Sequence, residues 1–390
     1  MNNYYADLHI HIGAAGDNKP VKITASKNLT FENIVKESSR RKGLDLIGII
    51  DCASPRVQND IEVMLNSGDL KEIAGGGFKY KDQIVIIPGA EVESREKNGG
   101  MVHYLAYFPF FDNIKEFTEI MKQYMTNVNL SSQVSGLTGS EILQIIETTG
   151  GIMVPAHVFT PHKSFYGNAF STYKEVFSKD EWNMIPAIEL GLSADTYLAD
   201  HLSELSDKTF LSNSDAHSIP KIAREYNTFK MKELNFTEFK KALFRKNKRK
   251  VLKNFGLDPR LGKYHRSFCP QCEKTFTDNN DLSHCPECNK KLIKGVKDRI
   301  LEIADQKSHP PEHRGEYIHQ IPLLDIPGIG NKTLDKLLEE FGNEMQIIHQ
   351  TDYNNIESVL NKKLAKRVEK ARNGRAKIKS GGGGIYGKMK

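Results

Sequence analysis

Two histidines near the start of the chain, His9 and His11, have the spacing of a pair of metal ligands. They lie in the run Asp7-Leu8-His9-Ile10-His11, which we interpret as part of a β-strand. Because successive side chains of a strand point to opposite faces, residues at i and i+2 can reach the same ion. A neutral imidazole is the commonest metal ligand in proteins. The pair alone is weak evidence, since two such histidines are more often surface or core residues.

The first 230 or so residues predict strands that alternate with helices. Runs with strand character cover residues 4–12, 44–51, 84–91, 101–108, 152–158, 185–190 and 209–214. The spacing of apolar residues predicts helices over 31–42, 113–125 and 140–149. This alternation favours a mainly parallel sheet. Seven strands over this length suit a barrel better than a two-layer sandwich.

Ligand-type residues recur where these predicted strands end. After His9 and His11, they are Asp51 and Cys52, Glu91, His157, and Asp215 and His217. In barrels of this kind the active site lies at the C-terminal ends of the strands. His103 is near the start of the fourth run, and a hairpin turning at residues 97–100 would bring it to the same rim as Glu91. The sequence therefore predicts a metal cluster.

This set of residues resembles the PHP family, the polymerase and histidinol phosphatase domain, over residues 1 to about 235. The resemblance implies a distorted (β/α)7 barrel that holds two or three divalent metals, with zinc favoured and manganese or iron as alternatives. It implies that one ion is held by His9, His11, Glu91 and Asp215, and a second by Glu91, His103 and His157. It assigns the catalytic roles to Glu91, Asp215 and His217.

The chain departs from this family at a third metal position. Many members hold a third ion with the last histidine, here His217, and two further histidines that this chain lacks. Asp17, Asp51 or Cys52 could act as substitute ligands, since a cysteine thiolate binds zinc well. The alternative for Cys52 is a small buried apolar residue. We therefore leave open whether two or three ions bind.

The remaining four cysteines, Cys269, Cys272, Cys285 and Cys288, form two CxxC pairs separated by twelve residues. Two such pairs can fold back into a tetrahedral site of four thiolates. In a cytosolic chain this grouping favours a metal over disulfides. The pattern predicts one structural zinc, because a fully ligated ion has no open position. The alternative is a loop with four free thiols.

The segment Pro327-Gly328-Ile329-Gly330 predicts a tight turn that opens a helix. The free N–H groups at such a helix start favour an anion. The segment resembles the helix-hairpin-helix, which binds the DNA backbone without reading sequence. This resemblance assigns DNA binding to Gly328, Ile329, Gly330, Lys332 and Thr333. A second unit near residues 359–365 lacks the glycines, and we interpret it as degenerate or structural.

The loop after His157 carries candidates for a substrate pocket: Phe159, His162, Lys163 and Tyr166. A lysine there could contact phosphate, and the aromatic rings could stack on a base. The alternative is that these aromatics pack the loop against the core.

Net charge is +6, and basic residues are concentrated in 240–253 and in the last thirty residues. Such blocks favour a polyanionic partner, although a solvated helix face or a loose tail has the same composition.

We divide the chain into a barrel (1–235), a basic connection (236–264), a four-cysteine element (265–298), a helix-hairpin-helix region (299–378) and a glycine-rich basic tail (379–390), which we expect to be flexible or to track a nucleic-acid strand. No run is apolar enough for a membrane span, and no signal peptide is indicated, so we expect a cytoplasmic, nucleoid-associated protein with no membrane partner.

The order of these parts resembles the endonuclease Q family. This resemblance implies a partner DNA with a damaged base, nicked 5′ to uracil, hypoxanthine, xanthine or an abasic site by a metal-activated hydroxide. The products would be a 3′-hydroxyl and a 5′-phosphate. The alternatives are a PHP phosphatase for a small phosphomonoester and a non-catalytic DNA-binding protein.

Overall fold

The strands predicted for the barrel are all present in the computed structural model, which describes residues 1–276 and 282–390. In chain order the strands are β1 (Asn2–Ile10), β2 (Leu46–Ile49), β3 (Leu70–Glu72), β4 (Phe78–Tyr80), β5 (Ile84–Arg95), β6 (Met101–Tyr107), β7 (Ile152–Pro155), β8 (Ala187–Glu189), β9 (Thr209–Leu211), β10 (Tyr226–Met231), β11 (Lys250–Gly256), β12 (Phe268–Cys269), β13 (Lys274–Thr275), β14 (Glu316–His319), β15 (Ile378–Lys379) and β16 (Lys388–Met389).

The α-helices include the three expected near residues 31–42, 113–125 and 140–149. They are α1 (Phe31–Lys36), α2 (Pro55–Ser67), α3 (Phe111–Met121), α4 (Gly139–Thr148), α5 (Lys179–Met184), α6 (Thr196–Ala199), α7 (Phe236–Leu243), α8 (Val296–Ile303), α9 (Asn331–Phe341), α10 (Glu344–His349), α11 (Tyr353–Val359) and α12 (Lys362–Arg372). Turns of π-helix cover Glu37–Lys42 and Phe165–Ala169, and 3₁₀ turns cover Tyr173–Glu175, Ser203–Leu205, Ile219–Lys221, Lys246–Lys248, Pro259–Leu261 and Leu323–Asp325.

The strands of the barrel follow one another in the order β1, β2, β5, β6, β7, β8 and β9. The pairs β1–β2, β2–β5 and β8–β9 are parallel, whereas β5–β6 and β6–β7 are antiparallel. The N–H of Val158 bonds to the carbonyl of Glu189 at 2.9 Å, which joins the ends of β7 and β8. A bridge between Ile10 and Ala216 brings the chain after β9 beside β1. The predicted α/β barrel is confirmed, and its antiparallel pairs make it a mixed sheet.

The barrel sheet extends beyond the boundary predicted at residue 235. Strand β10 pairs antiparallel with β1, β11 pairs antiparallel with β10, and β14 pairs parallel with β11. Strand β11 comes from the segment that we predicted to be a basic connection, and β14 from the segment assigned to the helix-hairpin-helix region. Strand β11 contains Lys250 and Lys253 beside the buried Val251 and Asn254, so its basic composition concealed a strand.

Helix α10 packs against the barrel through buried polar contacts at both of its ends. Lys42 and Glu344 form an ion pair at 2.8 Å, and both side chains are buried. The hydroxyl of Tyr226 lies 2.6 Å from Nε2 of His349. Residues 277–281 of the predicted four-cysteine element lie outside the described residues. None of the helices in the described part of the chain has the length and apolar character needed to cross a membrane.

The C-terminal tail is folded, contrary to the expectation of a flexible end. Strands β15 and β16 form an antiparallel pair. Between them, the N–H of Gly381 bonds to the carbonyl of Arg260 at 2.7 Å, and the N–H of Gly387 bonds to the carbonyl of Leu261 at 2.9 Å. The tail is therefore a hairpin docked on residues 260–263.

Candidate metal centre

His9 and His11 face each other at the end of β1, and both are fully buried. Nδ1 of His9 lies 3.0 Å from both carboxylate oxygens of Glu189, and Nδ1 of His11 lies 3.2 Å from those of Asp51. These acceptors place the ring protons on Nδ1. The two Nε2 atoms, 3.3 Å apart, then turn lone pairs toward each other. Such an arrangement is unfavourable alone and suits a cation, as in metal sites whose histidines donate to carboxylates.

Asp215 completes this first group of ligand atoms. Its Oδ1 lies 3.5 Å from Nε2 of His9 and 3.5 Å from Nε2 of His11. The three ligand atoms all lie within 4.8 Å of one another. Two imidazoles and a carboxylate are a donor set that suits zinc, manganese or iron.

Glu91, His103 and His157 form a second group of the same kind. Oε1 of Glu91 lies 2.9 Å from Nδ1 of His103 and 3.7 Å from Nε2 of His157. The predicted β5–β6 hairpin is confirmed, and it is what brings Glu91 and His103 together. Nε2 of His103 contacts Glu93 at 3.0 Å, while its buried Nδ1 makes no hydrogen bond among the described residues. Because this nitrogen and Oε1 of Glu91 are in contact without the geometry of a hydrogen bond, both atoms can be ligands of one ion.

Glu91 also connects the two groups. Its Oε1 lies 3.6 Å from Nε2 of His9, and its Oε2 lies 3.8 Å from Nε2 of His11. A single carboxylate in contact with both groups can bridge two ions. The geometry thus brings together the residues that the sequence assigned to a pair of metals.

Two residues of these groups have strained backbones. His157 has φ +29° and Asp215 has φ +46°, a region that residues other than glycine rarely adopt. Each such residue costs about 1–3 kcal/mol and persists only when its surroundings hold it. The N–H of His157 bonds to Glu189 at 2.8 Å, and the carbonyl of Asp215 accepts from Arg224 at 3.2 Å. Because Glu189 also contacts His9, one carboxylate positions a histidine of each group.

The charges of the centre are set by close ionic partners. Burial alone would raise the pKa of Glu91 and of Asp215. The charges of His103 and Lys22 outweigh the effect of burial on Glu91, and the charge of His9 outweighs it on Asp215. The pKa of each carboxyl therefore lies well below its ordinary value. Burial and the neighbouring His11 lower the pKa of His217 to about 4. Glu91 and Asp215 are therefore ionised at neutral pH.

Lys22 is a residue of the centre that the sequence did not reveal. Its Nζ lies 2.8 Å from Oε2 of Glu91 and also bonds to Ser132. Burial alone would lower the pKa of this amine, but the carboxylates of Glu91 and Asp51 raise it above its ordinary value. Lys22 lines an opening of about 310 Å³ together with His103 and other residues of both groups. It follows no motif, because it reaches the centre from the long loop after β1.

The residues proposed for a third ion have other partners. Asp17 is exposed and pairs with Lys19 at 2.9 Å. Cys52 is fully buried, its thiol contacts the carbonyl of Ile49 at 3.2 Å, and burial raises its pKa. Asp51 contacts Nδ1 of His11 and orients the ring. None of the three belongs to a ligand group found in the described residues.

A cavity of about 510 Å³ opens beside the centre. His157, Asp215 and His217 line it, together with Glu189, the last residue of β8 and the residue before the end of the sixth predicted strand, 185–190. Glu189 could have been found in the sequence, because it is a ligand-type residue at a strand end, like the others that we collected. The cavity is also lined by His162, whose ring meets Tyr264 edge to face at 5.5 Å.

Three of the four predicted pocket residues, Phe159, Lys163 and Tyr166, do not line this cavity. Phe159 and Tyr166 are fully buried and stack on each other with centroids 5.6 Å apart, so they pack the loop against the core. The hydroxyl of Tyr166 donates to Glu204 at 2.6 Å. Lys163 instead pairs with Glu93 at 2.6 Å and lines the smaller opening over the centre.

The four cysteines of the second candidate site converge. Their sulfur atoms all lie within 4.8 Å of one another, with Cys269 and Cys288 3.5 Å apart and Cys272 and Cys285 3.8 Å apart. Zn–S bonds of about 2.3 Å in a tetrahedron place sulfurs about 3.8 Å apart. The four side chains therefore fit one metal ion.

The turn before α9 has the open backbone that the sequence indicated. Gly328 has φ +99°, and a side chain added at Gly330 would meet open space. Arg367 of α12 donates to the carbonyl of Pro327 at 2.7 Å, which ties the second helical pair to this turn. That pair, α11 and α12, meets at Asn361, whose side chain caps α12.

Comparison with known proteins identifies relatives over the whole chain. No protein-family model matches it. It is 43% identical over 394 residues to the uncharacterized protein YqxK of Bacillus subtilis, with all of both chains covered. Over an alignment of 251 residues it is also 37% identical to the uncharacterized protein MJ0043 of Methanocaldococcus jannaschii, with 59% of this chain and 31% of the other covered.

Two crystal structures share the full architecture. The lesion-specific endonuclease PfuEndoQ from Pyrococcus furiosus superposes with a TM-score of 0.85 at 32% identity, covering 100% of this chain and 95% of that one. Endonuclease Q in complex with a 27-mer duplex substrate with an abasic lesion at the active site gives 0.85 at 33% identity, covering 100% and 96%. The barrel and its paired ligand groups are thus those of a metal-dependent endonuclease. The chain belongs to the endonuclease Q family.

Proposed function

We propose that this chain is a DNA repair endonuclease. It hydrolyses the phosphodiester 5′ to a deaminated base (uracil, hypoxanthine or xanthine) or an abasic site and leaves a 3′-hydroxyl and a 5′-phosphate. The observation that carries the proposal is the contact of Glu91 with both ligand groups beside an open cavity. The relative whose duplex substrate has an abasic lesion at the active site supports DNA as the substrate.

The residues of the centre have distinct tasks in this reaction. His9, His11 and Asp215 would hold one divalent ion, and Glu91, His103 and His157 a second. When bound, paired ions lower the pKa of water and offset the charge of a phosphodiester during in-line displacement. Glu189, Asp51 and Glu93 fix the ring orientation of His9, His11 and His103. His217, with its ring 4.5 Å from that of His11, is the candidate ligand for a third ion.

The parts outside the barrel hold the DNA. We assign the four-cysteine site to a structural zinc, and the barrel ions to zinc in preference to manganese or iron. The turn at Gly328 to Gly330, with Lys332 and Thr333 at the start of α9, would contact the phosphate backbone through its free N–H groups. The damaged nucleotide would leave the stack to reach the cavity beside the metals.

Nicking of matched duplexes tests the proposal. Duplexes that differ only in carrying uracil, hypoxanthine, an abasic site or no lesion are incubated with the protein, with and without a chelator. We expect lesion-dependent nicking that the chelator abolishes and a divalent metal restores. Asp215→Ala should abolish nicking while DNA binding persists. Equal nicking of undamaged DNA, or chelator-resistant nicking, would refute the proposal, and phosphate release from small esters alone would indicate a phosphatase.

A further inference from the structure

The C-terminal hairpin delivers a tyrosine to the cavity beside the metal centre. Tyr386 lies between β15 and β16, and its half-buried ring lines the cavity of about 510 Å³. His157 and Asp215, one residue from each ligand group, line the same cavity. A residue of the C-terminal hairpin thus lines the same cavity as residues of the metal centre.

Arg224 holds this tyrosine and the metal centre together. Its Nη1 donates to the hydroxyl of Tyr386 at 2.9 Å. The same guanidinium donates to the carbonyl of Ser214 at 2.6 Å and to that of Asp215 at 3.2 Å. Nζ of Lys263 lies over the tyrosine ring at 4.8 Å from its centroid. The buried Arg224 therefore fixes the phenol relative to the backbone of a candidate ligand.

The glycines of the tail are what allow this close approach. A Cβ at Gly387 would lie 2.6 Å from the carbonyl oxygen of Lys379, and one at Gly381 would lie 2.7 Å from that of Gly262. A Cβ at Gly383, where φ is +61°, would lie 2.4 Å from the ring of Phe268. Side chains at these positions would displace the hairpin. The glycine-rich segment is thus a structural requirement for placing Tyr386, and not merely a flexible end.

The cavity has the chemistry of a nucleotide site. Lys221, Arg224 and Lys263 supply positive charge for a phosphate, and the rings of Tyr264 and Tyr386 offer apolar surface. Its volume is in the range of small-ligand sites. In proteins that bind single-stranded nucleic acid, bases stack on aromatic side chains, and the identity of the base matters little to the stacking. Lys263 and Arg224 lie 4.8 and 5.7 Å from the centroid of the Tyr386 ring, and a base would contact the surface of the ring that lines the cavity.

We propose that Tyr386 stacks on the base of the nucleotide that enters the cavity, and so determines how well lesions that retain a base are cleaved. The inference rests on the proposed function, because it requires a lesion nucleotide beside the metals. The inference separates lesions that retain a base from abasic sites, which the proposed function treats alike. A deaminated base offers a ring for stacking, whereas an abasic site offers none.

Single-turnover nicking with two substrates tests this role. Tyr386→Ala is compared with wild type on duplexes that carry uracil or an abasic site at the same position. We expect the variant to nick the uracil duplex at least about 10-fold more slowly and the abasic duplex at nearly the wild-type rate. Tyr386→Phe, which keeps the ring and loses only the hydroxyl, should retain the uracil rate within a few-fold. Ile385→Ala is the matched control, since Ile385 is the neighbour of Tyr386 in the hairpin and is 71% exposed.

The outcomes separate this inference from the proposed function. If wild type nicks neither duplex, the proposed function fails. If wild type nicks both and Tyr386→Ala slows both equally, the tyrosine only supports the fold, and the stacking role is wrong. If Tyr386→Ala nicks both at the wild-type rate, the role is also wrong. Loss confined to the uracil duplex supports it.

Discussion

Nζ of Lys22 lies 2.8 Å from Oε2 of Glu91, the carboxylate that contacts both ligand groups. A permanent positive charge of the chain is thus paired with the carboxylate that would bridge two metals. Because Lys22 also lines the opening over the centre, it faces the side from which a phosphodiester would approach. The centre therefore combines ligand groups for metals with a fixed cation of its own.

Replacing this lysine should impair nicking. Lys22→Met keeps the length of the side chain and removes its charge. We expect nicking of a lesion duplex to fall by about 100-fold, because fixed charges that face a reacting phosphate contribute on this scale. The metal content of the purified protein should stay unchanged. Lys19→Met is the control, since Lys19 lies in the same loop, is exposed and pairs with Asp17. An unchanged nicking rate for Lys22→Met would contradict a role in the reaction.

Neutralising the carboxylate behind His9 should weaken metal binding. Glu189 accepts from Nδ1 of His9 and from the N–H of His157, so Glu189→Gln loosens both ligand groups. We expect metal affinity to fall by about 10–100-fold, as for other residues that orient ligating histidines. Titration of the metal-free protein with zinc measures this. Glu204→Gln, which changes a carboxylate bonded to Tyr166 and Tyr173, should leave the affinity unaltered. Equal affinities for the two variants would count against the assigned ligands.

Replacing one cysteine of the four-cysteine site should remove one metal equivalent. Cys285→Ser leaves three thiolates, and the surrounding segment has few apolar residues to hold it folded. We expect the purified variant to contain one zinc fewer per chain and to be cleaved faster by protease within residues 265–298. The thermal transition of the barrel should persist. Cys52→Ala, which alters the buried cysteine outside the site, should retain that zinc. Full zinc content in Cys285→Ser would show that the four thiols are not ligands.

A buried carboxyl outside the centre predicts how stability changes with pH. Burial raises the pKa of Glu225 to about 8, and one of its carboxyl oxygens has no hydrogen-bond partner in the described structure. Between its ordinary pKa near 4.5 and about 8, this carboxyl is protonated in the folded chain and ionised in the unfolded chain. The unfolded state then binds fewer protons, so the free energy of unfolding falls as pH rises through this range and levels off above it.

Glu225→Gln should remove this pH dependence, because an amide of the same shape does not ionise. We expect the Tm of the variant minus that of wild type to increase from pH 5 to pH 8 and then to stay level. Differential scanning calorimetry across this range measures it. A difference that is independent of pH would show that Glu225 is ionised in the folded chain.

The sequence revealed the ligand groups more completely than the residues around them. His103 and Glu91 could be predicted together, because ligands at strand ends and a hairpin depend on local pattern. Lys22 and Tyr386 could not, because each reaches the centre through a loop or tail whose path is set by distant contacts. The ring of Tyr166 was misplaced since sequence does not distinguish an aromatic that packs a loop from one that lines a cavity. The spacing of polar residues thus predicts the metal ligands better than it predicts the residues that surround them.

The helix-hairpin-helix assignment predicts how binding depends on salt. Lys332 is exposed in the first turn of α9, after the turn formed by Gly328 to Gly330. If it neutralises one phosphate, Lys332→Ala should weaken binding equally for damaged and undamaged duplexes. The slope of log K against log salt should fall by about 1 in magnitude. Fluorescence anisotropy over a range of salt concentrations gives both quantities.

The control for this prediction is Lys71→Ala, which removes an exposed lysine from β3 on the barrel. It changes the net charge by the same amount and should leave the slope unaltered. A slope that changes equally in both variants would reflect net charge alone. A variant of Lys332 with the wild-type slope would exclude a phosphate contact at the start of α9. Because a backbone contact carries no lesion specificity, Lys332→Ala should also preserve the ratio of nicking rates between uracil and abasic duplexes, which separates it from Tyr386→Ala.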